Sequence, residues 1–336
     1  MNKRIKVSIS GLGVGEKHAK FIKKNKNTKL ISIFDIDQKK NKKLSTKLKT
    51  IYAKNFKEIL KKKNSDLIII ASPDHAHYKQ IIQSIKNKKH IFVEKPICNN
   101  LKELKDIVKL WRKNRNKVKI RSNLILRSSP LFQWLKKKIS QNYFGKIYSI
   151  DVEYLYGRLN KFTKGWRGNS KEYSPINGGG SHMIDLACWL TKQFPYEVVS
   201  HSSNMATKKF KLNAKDYFSS IFTFKSGMIL RAVANLSCVF RHQHVLKIYG
   251  TKKTFIYDDL GPRVYSSRNP RKEFNRIILQ NLPTNKTNIL RNFINSIVKK
   301  KNINKETEFD LRIMNVLCYC NISDNLNKNQ KIKYII

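Results

Sequence analysis

The sequence is short of acid: its 336 residues hold 22 Asp and Glu against 70 Lys and Arg, a formal charge of +48. It has no apolar run near the roughly 20 residues that a bilayer-spanning helix requires. Its most apolar stretch, Leu67 to Ala71, has only strand length. The five cysteines (Cys98, Cys188, Cys238, Cys318 and Cys320) are odd in number and form no C-x-x-C pair. That excludes a disulfide scaffold and predicts reduced thiols in a cytoplasmic protein. The chain opens on Lys and Arg, but its first apolar run stops at Gly11, so no signal peptide is expected. No internal repeat and no low-complexity linker is present. Apolar segments of clear period run from end to end, which excludes extended disorder. The length suits two domains of ordinary size.

An excess of 48 positive charges first suggests nucleic acid or an anionic membrane. The lysines are not patterned that way. Short clusters (Lys39–Lys40, Lys61–Lys63, Lys136–Lys138, Lys299–Lys301) are scattered along the chain, amid abundant Asn and Ile. This is the composition an AT-biased genome supplies on solvated faces, with a polyanion partner as the alternative. We expect neither a specific nucleic acid partner nor a membrane.

The first third alternates strand and helix. Ile5 to Ser10, Lys29 to Phe34, Asp66 to Ala71 and His90 to Val93 read as strands. Helices are expected over Glu16 to Lys24, His75 to Lys86 and Leu101 to Lys113. Strands separated by helices predict β-α-β units and a doubly wound parallel sheet, its strands covered on both faces. After about residue 122 the rhythm changes. Leu131 to Ile139 is helical, but Ile147 to Tyr156, Tyr217 to Phe224, Met228 to Leu236 and Val245 to Tyr249 alternate with period two. Ser226–Gly227 reads as a hairpin turn. Ile289 to Val298 and Glu308 to Ile322 close the chain as helices. The expected architecture is α/β. A parallel-sheet domain over 1–122 is followed by an α+β domain over 123–336 with an open, mainly antiparallel sheet.

Gly11-Leu12-Gly13-Val14-Gly15 falls where the first strand hands over to the first helix. Glycines allow the tight turn and let backbone N–H groups approach a pyrophosphate at a helix N-terminus. The third glycine comes one residue earlier than in G-x-G-x-x-G, so a ligand-free tight turn is the alternative. Asp35 ends the second strand, 24 residues after Gly11. A carboxylate there accepts from both ribose hydroxyls and repels a 2′-phosphate, which favours NAD and leaves NADP open, Lys39 and Lys40 being close by. Asp35 or Asp37 reads equally as a helix N-cap.

Two further segments follow strands: Ser72-Pro73-Asp74-His75-Ala76-His77 and His90-Ile91-Phe92-Val93-Glu94-Lys95-Pro96. With them come His18, Arg127-Ser-Ser-Pro130, Gly145-Lys146-Ile147, Gly165-Trp166-Arg167, Gly178-Gly-Gly-Ser-His182-Met-Ile-Asp185 and Ile248-Tyr-Gly-Thr-Lys252. In this order the chain resembles the Gfo/Idh/MocA oxidoreductases, the glucose–fructose oxidoreductase and inositol dehydrogenase relatives. The resemblance implies a Rossmann domain binding NAD(P) over 1–122 and a substrate-binding, oligomer-forming domain over 123–336. It implies hydride transfer between nicotinamide and a secondary hydroxyl or ketone of a sugar, nucleotide sugar or cyclitol. Cofactor contacts fall by resemblance to Gly11, Gly13, Val14, Gly15, Asp35, Ser72, Pro73, His77, Glu94 and Lys95. Lys95 would stand near nicotinamide and substrate hydroxyl, with a cis bond to Pro96, and His182 would be the general base. Arg127, Trp166, Arg167 and Asp185 are candidates for substrate contact. Asp185 is also a candidate for orienting His182 or capping a helix. A homodimer or homotetramer through the exposed face of the second sheet is implied as well.

One position departs from the pattern. Many relatives place an Asp four residues before the His; here that position is Gly178, with Asn177 and Asp185 as possible substitutes. The departure keeps open two alternatives, redox-assisted glycoside cleavage on the same fold and a nonenzymatic NAD-binding protein. Tyr154, Tyr156, Arg158, Trp166 and Arg167 suit either a pocket for a sugar ring with an anionic group or ordinary packing. His242 and His244 share a strand face but have no third ligand nearby, so no metal is expected.

Overall fold

The computed structural model describes residues 4–61, 65–164, 166–170, 173–283 and 285–336; Lys62, Lys63 and Gly165 lie outside the described residues. The chain forms two compact units. One is the chain up to Leu124 with Asn285–Met314 and Ile335–Ile336; the other runs from Ile125 to residue 283 and adds Asn315–Tyr334. Where the sequence reading assigns everything after residue 122 to one domain, the chain thus returns to the first unit over 285–314.

The first unit starts with β1 (Ile5–Ser10), α1 (Gly15–Lys24), β2 (Thr28–Phe34), α2 (Gln38–Lys47), β3 (Ile51–Tyr52) and α3 (Phe56–Lys61). β4 (Leu67–Ile70), α4 (Asp74–Lys86), β5 (His90–Val93), α5 (Leu101–Asn114) and β6 (Ile120–Ser122) follow. The six strands pair in parallel in the order β3-β2-β1-β4-β5-β6. This is the doubly wound order, which reverses direction between β1 and β4. β4 shows why the sheet is buried on both faces: all four residues of LIII are fully covered, and branched side chains fit a pleat packed from both sides. Asp37 caps α2 by accepting from Lys40 N at 3.0 Å, and Asn100 caps α5 by accepting from Glu103 N at 3.0 Å.

The second unit holds α6 (Pro130–Ser140), β7 (Ile147–Leu155), α7 (Leu159–Thr163), α8 (Trp166–Asn169), a π-helical turn (Ile176–Gly180) and α9 (Ser181–Thr191). β8 (Glu197–Ser203), β9 (Tyr217–Thr223), β10 (Ile229–Asn235) and β11 (Gln243–Gly250) come next. β12 (Thr254–Asp258), β13 (Gly261–Tyr265) and β14 (Asn275–Arg276) lead to α10 (Asn288–Val298), α11 (Asn304–Leu326) and β15 (Gln330–Lys331). The nine strands run β14-β13-β12-β11-β7-β10-β9-β8-β15. Every pairing is antiparallel except β10 with β7. The expected hairpin is present: Gly227 has φ +83°, which glycine adopts without strain, and Phe224 N donates to Met228 O at 3.0 Å. One sheet face, carrying Ile150, Val152, Leu230 and Ala232, is buried, and α9 packs on β7 and β10 with Met183, Leu186 and Ala187 covered.

α10 joins the first unit's core through Ile289, Leu290, Phe293 and Ile294, which pack with Val7, Ile9, Leu12 and Phe92. Phe92 and Phe293 have ring centroids 6.0 Å apart. Each such fully buried side chain contributes about 1.5–3 kcal/mol. In α11, Asp310 accepts from Arg121 Nη1 at 2.8 Å and Ser122 N at 3.0 Å, fastening the helix to β6. No described helix is long and apolar enough to cross a membrane.

Candidate active site

The carboxyl edge of the parallel sheet collects the loops after β1, β2, β4, β5 and β6. At the first of them Gly11 has φ +86°, and a Cβ there would lie 2.3 Å from Ala71 O. A Cβ on Gly15 would meet Ile9 Cγ2 at 3.2 Å and Ala71 Cβ at 3.3 Å, a tight fit, whereas at Gly11 the backbone itself leaves no room for a side chain. Gly13 differs: a Cβ there would meet nothing within 4 Å. The protein does not fill that space, and a bare backbone beside an open space is what a closely approaching pyrophosphate needs. Val14, 51% exposed, stands at the head of α1 and gives it no side-chain cap; Lys17 N donates to Val14 O at 3.0 Å, so the N–H groups ahead of it are the ones an anion would meet.

Asp35 holds this turn from beneath. Its Oδ2 accepts from Leu12 N at 2.5 Å and its Oδ1 from Asp37 N at 2.9 Å. Each carboxylate oxygen retains a lone pair for a ribose hydroxyl. Asp37, rather than Asp35, caps α2.

After β5, Glu94 accepts from Asn123 Nδ2 at 2.7 Å, and its Oε1 lies 2.8 Å from His18 Nε2. Burial alone would raise the Glu94 pKa. Hydrogen bonds from His18 and Asn123, with the charges of His18 and Lys95, instead hold it below the ordinary carboxylate value. His18 is buried, its ring edge-on to Phe92 at 5.6 Å. The network therefore joins α1, the end of β5 and the end of β6, and fixes the backbone that presents Lys95. The Lys95–Pro96 bond is cis. His77 is turned fully inward, Nδ1 2.6 Å from Pro96 O and Nε2 2.9 Å from Ser72 O, tying the loop after β4 to the loop after β5. Ser72 Oγ donates to Gln80 Oε1 at 2.9 Å, and Pro73 leads into α4. Nothing in the local sequence marks Asn123 except its place just past a three-residue strand.

In the second unit His182 is the second residue of α9, partly exposed, just after the π-helical turn. Arg127 and Asp185, candidates for substrate contact, are 5% and 0% exposed and paired with each other. Arg127 Nε donates to both carboxylate oxygens at 3.1 and 3.0 Å, and Nη2 makes a third, shorter bond to Oδ1. This is a buried fork-to-carboxylate pair fastening the segment before α6 to α9.

An aromatic wall lies against the π-helical turn, where a Cβ on Gly179 would meet Tyr154 Cδ1 at 2.0 Å. Tyr154 and Tyr156 stack at 5.8 Å, and the His242 and His244 rings, 5.2 Å apart, both pack on Tyr154. Burial, then the neighbouring Tyr156, pushes the Tyr154 phenol pKa up, against the opposing pull of Arg167 and Arg158. Trp166 packs edge-on to Tyr173 at 5.8 Å; Arg167 lies 4.9 Å over Trp166 and Arg158 lies 5.6 Å over Tyr156. Among the described residues no group of three or more His, Cys, Asp or Glu is placed to hold a metal ion.

A doubly wound sheet with a bare glycine cradle, joined to a unit built on a large mixed sheet, defines the class of nicotinamide-dependent oxidoreductases. The comparisons give the family. Residues 5–122 match the oxidoreductase family model with NAD-binding Rossmann fold, and residues 132–256 match the GFO/IDH/MocA C-terminal domain. The chain belongs to the Gfo/Idh/MocA oxidoreductase family. It is 27% identical over 278 residues to glucose-6-phosphate 3-dehydrogenase of Bacillus subtilis (strain 168), covering 77% of this chain and 76% of that one. Its fold is that of the crystal structure of myo-inositol 2-dehydrogenase from Lactobacillus plantarum (TM-score 0.83, 20% identity, 98% and 100% coverage). It is also that of scyllo-inositol dehydrogenase from Lactobacillus casei, solved with NAD(H) and scyllo-inositol (TM-score 0.78, 18% identity, 98% and 99% coverage).

Proposed function

We propose that this chain oxidises a secondary hydroxyl of a sugar or cyclitol with NAD, using Lys95 and His182 as its catalytic pair. The observation that carries the reading is the edge of the parallel sheet. There Gly13 leaves an open space, Asp35 supports the turn with lone pairs to spare, and Lys95 stands on a backbone fixed by His18, Glu94 and Asn123. Gly11, Gly13, Val14 and Gly15 would hold the pyrophosphate, Asp35 the ribose, and Ser72, Pro73 and Glu94 the shape of the adjoining loops. Bound NAD supplies the hydride acceptor. The His182 imidazole takes the hydroxyl proton, and the Lys95 ammonium stabilises the oxyanion as it develops.

The second unit's wall suits a carbohydrate. Tyr154, Tyr156 and Trp166 pack against a cluster of Phe162, Tyr173, Ala214 and Leu236, and Arg158 over Tyr156 and Arg167 over Trp166 match a phosphate or carboxylate on the substrate. The Bacillus relative's name carries such an anionic sugar. We further place the protein in the cytoplasm, its five cysteines being free thiols. We also assign it a homo-oligomer formed through the outward face of the nine-stranded sheet. That face exposes Ile221 (46%) and Ile229 (39%) beside the Arg231–Asp151/Glu153 ion pairs.

The test is fluorescence titration with NADH and NADPH at low and high salt, followed by a sugar and cyclitol screen. Salt-resistant, saturable binding that favours NADH is expected, since a charge of +48 attracts any dinucleotide weakly when unscreened. Turnover should be lost in Lys95→Ala and His182→Ala. No binding once charge is screened overturns the reading.

A further inference from the structure

The sequence leaves the position four residues before His182 without a side chain, and the structure puts another residue's oxygen there. A Cβ built on Gly178 would lie 2.2 Å from the Tyr173 hydroxyl and 2.8 Å from its Cζ. The hydroxyl thus occupies the space that the first atom of any side chain at 178 would need. Tyr173 is 9% exposed and its ring is wedged between Phe162 at 6.2 Å and Trp166 at 5.8 Å, so the position of the oxygen is set by packing.

Helix geometry says what that oxygen faces. Residues four apart lie on one helix face, with Cβ atoms about 5–6 Å apart. Every Cα–Cβ bond also leans toward the helix N-terminus, so the side chain of His182 covers the turn that carries Gly178. The π-helical stretch over Ile176–Gly180 keeps this relation, because its wider turn brings residue 182 back over residue 178. The Tyr173 hydroxyl and the His182 ring are therefore directed at one small volume.

We propose that Tyr173 is the positioning residue for His182, its hydroxyl oxygen accepting a hydrogen bond from the imidazole in place of a carboxylate at 178. This rests on His182 being the general base. A phenol oxygen bound to one ring N–H fixes the ring's orientation and tautomer. No net charge is added, so the ring is supported less strongly than by an aspartate. The other candidates for this role are committed elsewhere: Asp185 to Arg127, and Asn177 Oδ1 to Asn321 Nδ2 at 2.9 Å.

The test is histidine NMR on the full-length protein, with the His182 resonance assigned by its loss in His182→Gln. Tyr173→Phe keeps the ring and its packing but removes the oxygen. Gly178→Ala keeps the oxygen but displaces it with the added methyl. We expect each folded variant to move the His182 titration midpoint downward by about half a pH unit, because an accepting oxygen favours the protonated ring. A merely structural tyrosine would change the melting temperature and leave the midpoint alone. An unchanged midpoint in either folded variant overturns the proposal, and an upward shift overturns the accepting role. Failure of the dehydrogenase reading appears separately, in the NADH titration, and leaves this one readable.

Discussion

The Asp35 carboxylate accepts the Leu12 amide at 2.5 Å, so the acidic residue just past β2 is also a strut of the glycine turn that follows β1. Under the proposed ribose contact, cofactor choice and loop shape pass through one side chain. Asp35→Ala removes both hydrogen bonds and the proposed ribose acceptor, and we expect NADH affinity to fall about 10- to 100-fold, the worth of a charged hydrogen bond. Asp35→Asn retains an oxygen for Leu12 N. It should therefore keep the melting temperature within a few degrees while narrowing the NADH-over-NADPH ratio. Parallel dinucleotide titrations of the three proteins check this, and an unchanged ratio in both variants would remove Asp35 from cofactor recognition.

Arg127 and Asp185 make a second testable pair. Buried ion pairs contribute little over an apolar pair of similar volume, but breaking one leaves a stranded charge at a cost of about 3–5 kcal/mol. Arg127→Met alone should therefore destabilise the protein by that amount in urea unfolding. The double variant Arg127→Met, Asp185→Leu should recover most of it. If the single variant instead unfolds like wild type while substrate KM rises, Arg127 belongs to the substrate after all.

The first unit was largely legible in the sequence because its signals are local. A run such as LIIIA, buried on both faces, and glycines at the strand-to-helix turn each announce themselves within a few residues. The elements that escaped notice are short or depend on distant partners. β3 and β6 have two and three residues, and β8 becomes a strand by pairing with β9. α10 cannot be assigned to the first unit without knowing that Phe293 meets Phe92. The same holds at the site. Lys95, His182 and the glycines sit in recognisable strings, whereas the Arg127–Asp185 pairing spans 58 residues and the Tyr173 hydroxyl reaches Gly178 from outside the helix. Sequence patterns list residue types near a site; which of them face inward is decided by packing.

His90 sets a pH dependence of stability. Burial, and then the neighbouring Lys119, lowers its pKa from 6.5 to about 4, and its Nδ1 accepts from Lys119 N at 3.1 Å. A depressed folded value means the neutral ring stabilises the fold fully above pH about 6.5. That contribution drains away as pH falls toward 4, where the unfolded chain binds a proton that the folded one refuses. The loss over this window should be about 2–3 kcal/mol. Urea midpoints measured from pH 7.5 to 4 should show the decline in wild type and a flatter profile in His90→Gln, which can still accept the amide. Equal slopes would exclude His90 as the source.

Gly11 and Gly13 stand two residues apart in one turn, yet they answer to different demands, which makes them the sharpest test of the cofactor site. At Gly11 a methyl group would run into the Ala71 carbonyl at 2.3 Å on a backbone at φ +86°, so Gly11→Ala should cost stability by about 1–3 kcal/mol or more. At Gly13 the methyl meets no protein atom within 4 Å, so Gly13→Ala should melt within about two degrees of wild type. No protein atom fills that open space, and under the proposed cofactor site a pyrophosphate would lie against the backbone there. Gly13→Ala should therefore lose at least tenfold in NADH affinity at high salt while its fold is untouched. An alanine at 13 that leaves both the melting temperature and the NADH affinity unchanged would place the dinucleotide elsewhere on the sheet edge.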